Sequence, residues 1–537
     1  MANRRLLPHL LLLPFLLLGA GLPPDRIPVN AADTITAAEL KSGVYFLASE
    51  EMQGRDTGSA ANQIAALYLA HQFESMGLEP AGDSGYFQYF SLSESELSTP
   101  NGLEIRHHSR AAETFVLRQD FFPSRLSASG LTTAPLVFAG YGITAPEYGY
   151  DDYAGIEVED RIALVLTREP GYEDPQSPFD GLVRSKHAEE FQKIKNAQEH
   201  GAAGLIIISQ GLDDLSRAAR STWPEDAEEG RQTLQVWADQ VRIPVVYISE
   251  KRASLLLETA DREVDEIRNV IDQSLQPQSF ALDEVTAAIE SRVSRKLTES
   301  RNVFAYIPGN DPELKHEVVV LGAHFDHVGI ENNQIYRGAD DNASGTMGLL
   351  EIAEAFALSP VKPRRSVLFA AWNAEERGLL GSHYYVEDPA FPLSQTVAML
   401  QMDMIGRNEE VPDPESPRFR GLERQDAAQN INSVNILGYS RSQDLKQTVS
   451  RMNQATGLDL HFRYDNQELN LLRRSDNWPF LKKDIPILFF NTGLHPDYHQ
   501  PTDTPDKLNY PKMERIVRLV FLTSWEIANS SQTPKFD

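Results

Sequence analysis

Between residues 317 and 529 the chain alternates short, almost uninterrupted apolar runs with segments of helical period. EVVVLGAHFD, RSVLFAAWN, TVAMLQMDMIG and IPILFFNTG predict strands. SGTMGLLEIAEAFAL, DLKQTVSRMNQATGL and MERIVRLVFLTSWEIA predict helices. Strands apolar on both faces must be covered on both faces, so this pattern predicts an α/β fold with a mostly parallel central sheet flanked by helices. Open sheets of that kind collect ligands beyond the carboxyl ends of their strands. The residues that follow each strand therefore decide what the fold can do.

After EVVVLGA come His324, Asp326 and His327. The turn GADDNASG then opens a helix, Glu375 and Glu376 follow SVLFAAWNA, Asp403 follows AMLQM, and His499 follows ILFFNTGLHPDY. A single His or Asp after a strand is more often an ordinary loop residue, and Asp, Asn, Ser and Gly are common turn formers. Five such sets in register at one sheet edge predict a metal centre. Mixed imidazole and carboxylate donors suit Zn²⁺, and the same geometry accepts Mn²⁺ or Co²⁺. The surplus of carboxylates predicts two ions that activate one water, with a further carboxylate held off the metals to carry its proton.

Composition narrows the alternatives. The 537 residues contain no cysteine, so disulfides, thiolate ligands and a cysteine nucleophile are all excluded. A formal net charge of −27 argues against a nucleic-acid partner, which would require clustered Lys and Arg. At the N-terminus, Arg4 and Arg5 precede an apolar run from Leu6 to about Leu18 and then small residues, the three-part pattern of a secretory signal. Pro8, His9 and Pro14 interrupt that run, which falls short of the roughly 20 apolar residues of a spanning helix. Residues 1–31 are therefore expected to be a signal peptide, cleaved after Ala20 or after Ala31. The exported protein is expected in the periplasm or the extracellular medium, with no stable membrane insertion.

Ahead of the sheet, LKSGVYFLASEEM and AANQIAALYLAHQFESMGL predict two helices joined by GRDTGS, with Ile64, Leu67, Tyr68 and Phe73 recurring near helical spacing. From about residue 129 to 278 the pattern changes to APLVFAGYGI, RIALVLTRE, a helix KIKNAQEHG, AGLIIISQ and IPVVYIS, which predicts a separate small β-rich α/β module. The first part of the main domain would then be residues 32–128 and its second part residues 279–537. RNEEVPDPESPRFRGLERQD predicts an exposed loop.

The set HFD, GADDNASG, NAEERGLLGS, QMDMIG and GLHPDYHQPTDT resembles the co-catalytic di-zinc aminopeptidases of metallopeptidase clan MH, and LASEEMQGRDTGS resembles their N-terminal segment. The module is similar to the protease-associated (PA) domain often inserted into such enzymes. The resemblance implies that His324 and Asp403 bind one zinc, that Glu376 and His499 bind the other, and that Asp341 bridges them. It implies Glu375 as general base, Asp326 as a partner orienting His324, and Tyr498 as a hydrogen-bond donor to the tetrahedral intermediate. Asp340 is expected only to shape the turn, and His327, His383 and His495 to be local structure or pocket lining. Arg473, Arg474, Ser475 and Asp476 resemble a family segment near the pocket without an implied role.

Other chemistries fail locally. His316 and Glu317 begin an HE pair, but Val320 stands where HExxH requires histidine, and no G-x-S-x-G elbow occurs. GYGITA fits a dinucleotide fingerprint formally, yet Pro146 follows where a helix should open. Three readings remain: an exopeptidase acting on peptide or protein N-termini, a carboxypeptidase of the same fold, and a non-catalytic binding ectodomain. A single-zinc cyclase of the same fold is a smaller alternative, against which the double ligand set argues. Retention of every ligand position and of the base favours catalysis, because a buried carboxylate cluster without cations is costly. The family resemblance favours N-terminal residues as the substrate.

Overall fold

The computed structural model describes residues 29–108, 110–224 and 232–537; the signal-like stretch up to Pro28 lies outside them. Two sheets organise the chain. The larger has ten strands among the described residues, nine of them in the order Gln232–Leu234, Phe87–Leu97, Val293–Ile307, Ser366–Trp372, Val318–His324, Thr396–Met402, Ile487–Asn491, Ser433–Leu437 and Asp459–His461. Its four central strands, from Ser366–Trp372 to Ile487–Asn491, run parallel. They are also the apolar runs of the sequence, fully buried along Val318–His324, Ser366–Trp372 and Thr396–Met402. The neighbours on either side pair antiparallel, so the parallel character belongs to the strands that carry the site and the sheet as a whole is mixed.

Alternate side chains of these strands feed two cores. Val319, Leu321, Val367 and Phe369 face the helices Ala37–Leu47, Ala60–Ser75, Gly345–Leu358 and Tyr510–Asn529. Val318, Val320, Leu368 and Trp372 face the short helices Leu380–Glu387 and Asn477–Leu481. Helix Ala60–Ser75 is turned differently from the face its large residues suggest. Its buried positions are Ala61, Asn62, Ala65, Ala66, Leu69, Ala70 and Phe73, whereas Ile64 and Leu67 are exposed. Small alanines let the helix lie close to the sheet, so close approach rather than side-chain size sets the buried side.

The second sheet has eight strands among the described residues: Glu113–Thr114, Gly102–His107, Phe280–Ser291, Gly130–Phe138, Ile162–Leu166, Gly204–Ser209, Val245–Ser249 and Phe121–Pro123. It draws chain from both sides of the 129–278 span. Gly102–His107 and Phe280–Ser291 alternate buried with exposed positions, and Phe121–Pro123 has only three residues, so none of them produces a long apolar run. Within the same span, Gln232–Leu234 pairs with Phe87–Leu97 of the larger sheet, which stitches the module to the main domain. Glu189 adds a second tie. It accepts hydrogen bonds from Lys482 Nζ at 2.7 Å, Trp478 Nε1 at 3.0 Å and Arg473 Nη2 at 3.2 Å, which gives Arg473 an anchoring role. The stretch 407–426 forms a loop, but Glu409, Val411, Phe419 and Leu422 within it are buried. Among the described residues no helix is long and apolar enough to cross a membrane.

Candidate metal centre

Each central strand ends at the same edge and releases a polar residue into one buried space. His324 is the last residue of its strand and is fully buried; Asp403 follows Met402, and Glu375 and Glu376 follow Trp372 by three and four positions. Between them lies the turn that starts the helix Gly345–Leu358. Gly338 enters it at φ 58°, and a Cβ there would sit 2.2 Å from Asp341 O and 2.5 Å from the His327 ring, so only glycine fits. The turn is then pinned by its own polar side chains. Asn342 donates Nδ2–H to Met402 O at 3.0 Å and accepts from Gly345 N and Met404 N. Asp340 accepts from Gly406 N at 2.6 Å and Arg407 N at 3.1 Å and faces His495 Nε2 at 3.2 Å. Asp503 accepts the backbone N–H groups of both Asp340 and Asp341. Asp340 is thereby committed to backbone and His495, and Asp341 is left to face the cavity.

Two sets of potential metal-donor atoms result, His324 with Asp341 and Asp403, and His327 with Asp341, Glu376 and His499, the atoms of each set lying within 4.8 Å of one another. Asp341 belongs to both. Its Oδ1 lies 3.4 Å from His324 Nε2 and its Oδ2 3.0 Å from His499 Nε2. His324 Nε2 is also 3.4 Å from Asp403 Oδ1, and His499 Nε2 is 3.1 Å from Glu376 Oε2. Close as these atoms are, His324 Nε2, Asp403 Oδ1, Glu376 Oε1, His499 Nε2 and both ring nitrogens of His327 have no aligned hydrogen bond. Buried polar atoms left without partners are expensive, and donors aimed at a shared cation have this arrangement. The donor set therefore fits two ions of the zinc type, with only nitrogen and carboxylate oxygen offered.

His327 is the residue that the sequence motif does not mark. Its Nδ1 lies 2.7 Å from Glu376 Oε1 and 3.9 Å from Asp341 Oδ2, and it is fully buried. The available signal was its place three residues after His324 in a loop that also carries Asp326. His495 and His383 do not join either group. His495 braces Asp340, and His383 packs edge-on against Trp237 of the inserted module.

Asp326 acts differently from the expected partner of His324. Its carboxylate accepts the backbone N–H groups of Glu375 at 3.1 Å and Glu376 at 3.3 Å, and the Thr57 hydroxyl at 3.1 Å. The nearer group to His324 Nδ1 is the Asp326 carbonyl, at 3.2 Å, with the carboxylate at 3.8 Å. Ala374, at φ 59°, bends the chain so that two successive N–H groups point at one carboxylate, which is why the carboxylate is drawn to them. The buried guanidinium of Arg55 donates to Leu47 O, Phe325 O, Arg337 O and Gly338 O, and so ties the loop after His324 to the chain that enters the Asp341 turn.

The electrostatics separate two carboxylates that are neighbours in sequence. Burial works against charge on Glu376, but His499 and His327 overcome it and bring the group down to about 2. Glu375 is pushed well above the ordinary carboxylate range by burial, with Glu376, Asp403 and Asp476 adding like charge. Glu375 belongs to neither donor set and approaches His324 Nε2 only to 4.0 Å. Asp476, raised to about 7 by burial, accepts from Ser382 Oγ and Gln401 Nε2 beneath the site, and Ser475 accepts from the same amide. Beside the centre is a pocket walled by Met404, Leu437, Leu471, Phe489 and Leu494. Asp341, Glu375, Asp403, Tyr498 and His499 line it too, as does Arg474. Burial and the adjacent carboxylates of Asp341 and Glu376 hold the Tyr498 hydroxyl well above its usual range, in its O–H form.

Fold and site together define the class: an α/β domain with a shared two-cation type of donor cluster at its strand ends, and a second α/β module inserted in the chain between Phe87–Leu97 and Val293–Ile307 of its sheet. Comparison with known sequences gives the particular assignment. Residues 302–524 match the profile of Peptidase family M28 and residues 132–256 that of the PA domain. An aminopeptidase of Pseudomonas aeruginosa is 28% identical over 280 residues, 52% of this chain and 42% of that protein. The protein YfbL of Escherichia coli is 30% identical over 245 residues, 40% of this chain and 68% of that protein. Among solved structures, an aminopeptidase from Aneurinibacillus sp. strain AM-1 aligns over 95% of this chain and 97% of its own, at 19% identity and a TM-score of 0.47. The match spans less than half the length of the Pseudomonas relative. The chain belongs to peptidase family M28 and carries an inserted PA domain.

Proposed function

We propose that this chain is an exported, zinc-dependent aminopeptidase that removes N-terminal residues from peptides through two metal ions and a glutamate base. The observation that carries the proposal is the pair of donor groups sharing Asp341, lining a pocket that also has an apolar wall, with Glu375 beside them and outside both. His324 and Asp403 would hold one Zn²⁺, Glu376 and His499 the other, and Asp341 would serve both; His327 is a further donor to the second. When bound, the two ions supply an acidified water and positive charge for the carbonyl oxygen.

The remaining steps belong to side chains. Asp326 fixes the backbone of Glu375 and Glu376, so that Glu376 points into the second donor group while Glu375 stays outside. Glu375 takes a proton at its carboxylate from the attacking water and returns it to the departing amine, a role open to it because it lies outside both donor groups. Tyr498 offers an O–H donor to the oxygen that gains charge. The walls formed by Met404, Leu437, Leu471, Phe489 and Leu494 favour an apolar substrate side chain. Membership of peptidase family M28, with aminopeptidases among the relatives, supports action at the N-terminus. Export rests on the signal-like N-terminal stretch.

Arg474 on the pocket wall favours one second reading, a carboxypeptidase whose guanidinium holds the substrate's terminal carboxylate. The test of the base is Glu375→Gln. It should keep wild-type metal content and lose about 10²- to 10⁴-fold in turnover. Hydrolysis at the wild-type rate would remove Glu375 from the mechanism.

A further inference from the structure

On the outer face of the helical layer, a groove of about 470 Å³ runs between the helices Ala37–Leu47, Ala60–Ser75 and Gly345–Leu358. Phe46, Tyr68, Met76, Met347, Leu350 and Leu358 form its apolar part, and Ser42, Gln72, Ser75 and three glutamates form its polar part. Phe46 and Tyr68 meet ring to ring, with centroids 4.7 Å apart. Beyond the groove the apolar surface continues along Ile64 and Leu67, which are 51% and 55% exposed, and Leu358 is 59% exposed. These are the large residues at helical spacing that the core does not use. Several large apolar side chains exposed together on neighbouring helices are uncommon on a solitary surface.

The groove also carries three acids and no base: Glu39, Glu351 and Glu354 line it, and no Lys, Arg or His does among the described residues. Glu351 is the informative member. It is only 7% exposed, and its Oε2 has no hydrogen-bond partner although it lines an open groove. Burial, reinforced by Glu39 and Glu354, pushes its carboxyl up to about 8. The nearest cation on the first helix, Lys41, is placed over the rings of Tyr45 and Tyr510 instead. No cation among the described residues lines the groove beside it.

We propose that this groove is a docking site for an amphipathic helical segment of a partner protein, seated with its apolar face on Phe46, Tyr68 and Leu67 and placing a Lys or Arg side chain on Glu351. Charge complementarity selects that occupant. A second copy of the same face would bring three acids onto three acids, and an uncharged segment would leave the Glu351 carboxyl unpaired. An elongated apolar trough between helices suits a helix laid into it, with anchors at helical spacing.

The test uses the purified full-length protein and a fluorescein-labelled helical peptide of leucines and lysines in amphipathic order, acetylated and amidated so that exopeptidases cannot trim it. Fluorescence anisotropy in physiological salt should give a dissociation constant on the order of micromolar. Glu351→Gln and the surface change Leu67→Lys should each weaken it by about tenfold or more. Glu313→Gln, an exposed acid elsewhere, should leave it unchanged. No binding by the wild type, equal binding by all four proteins, or equal binding of a leucine and glutamate peptide of the same pattern would each overturn the proposal, because binding would then be absent or set by net charge alone.

Discussion

Arg55 gives the most demanding prediction about how the metal centre is held. Its guanidinium is fully buried and donates to Phe325 O at 2.9 Å, Leu47 O at 2.5 Å, Arg337 O at 2.9 Å and Gly338 O at 3.0 Å. Burial lowers its proton affinity to about 10, and the nearby charges of Asp326 and Asp341 oppose that, so it remains a cation. One side chain thus joins three segments: the end of the first helix, the loop beyond His324 and the entry to the Asp341 turn. Replacement by lysine keeps the charge, but a single nitrogen cannot serve carbonyls spread over a planar fork. At roughly 1.5 to 3 kcal/mol for each charge-assisted bond, losing two or three of the four costs on the order of 3 to 9 kcal/mol. That is a large part of the roughly 5 to 15 kcal/mol that holds a typical domain together. Urea unfolding followed by tryptophan fluorescence, with zinc content measured on the same sample, reads both effects. Arg55→Lys should unfold at clearly lower urea and hold less zinc. Wild-type stability together with wild-type zinc would show that the four bonds do not organise the loops, and the argument would fail.

Two further outcomes follow from the geometry. Gly338→Ala puts a Cβ against Asp341 O and the His327 ring at φ 58°, so it should destabilise the fold by about 1 to 3 kcal/mol and lower zinc affinity; an unfolding curve and zinc content equal to the wild type would refute the close approach. Glu351, held near 8 instead of the ordinary 4.5, binds more protons folded than unfolded, so its contribution to stability falls as pH rises between those values. Glu351→Gln should match the wild type near pH 4 and exceed it near pH 9 by on the order of 2 to 4 kcal/mol, the full shift being discounted because the groove opens to water. Equal thermal unfolding of the two proteins at both pH values would contradict that penalty.

The strand ends were legible because strands buried on both faces leave near-continuous apolar runs, and the polar residue that ends each run is conspicuous. That pattern places His324, Asp403, Glu375 and Glu376 at one edge from the sequence alone. His327 was not legible, because proximity to Glu376 is created by the loop path after His324 and not by any periodicity. Helical spacing in residues 60–75 identified a face with Ile64 and Leu67 but not the side it turns to; the alanines decided that, since closeness to the sheet outweighed side-chain size. Two strands of the smaller sheet were hidden for a related reason: Gly102–His107 and Phe280–Ser291 are half-buried, so they leave no long apolar run, and their pairing is long-range. Asp326 was recognised as a supporting residue, but the backbone bend at Ala374 that gives it two N–H donors is a property of the folded chain alone.

The central claim is tested most directly by incubating the purified protein with a set of apolar-residue peptides blocked at the N-terminus, at the C-terminus, or at neither end, with and without a chelator, while the zinc bound per chain is measured. Release of single residues only from peptides with a free N-terminus, at two zinc ions per chain and abolished by the chelator, is the result the account predicts. Cleavage only of peptides with a free C-terminus would contradict the substrate assignment, and no cleavage of any peptide in added zinc would contradict the catalytic reading itself.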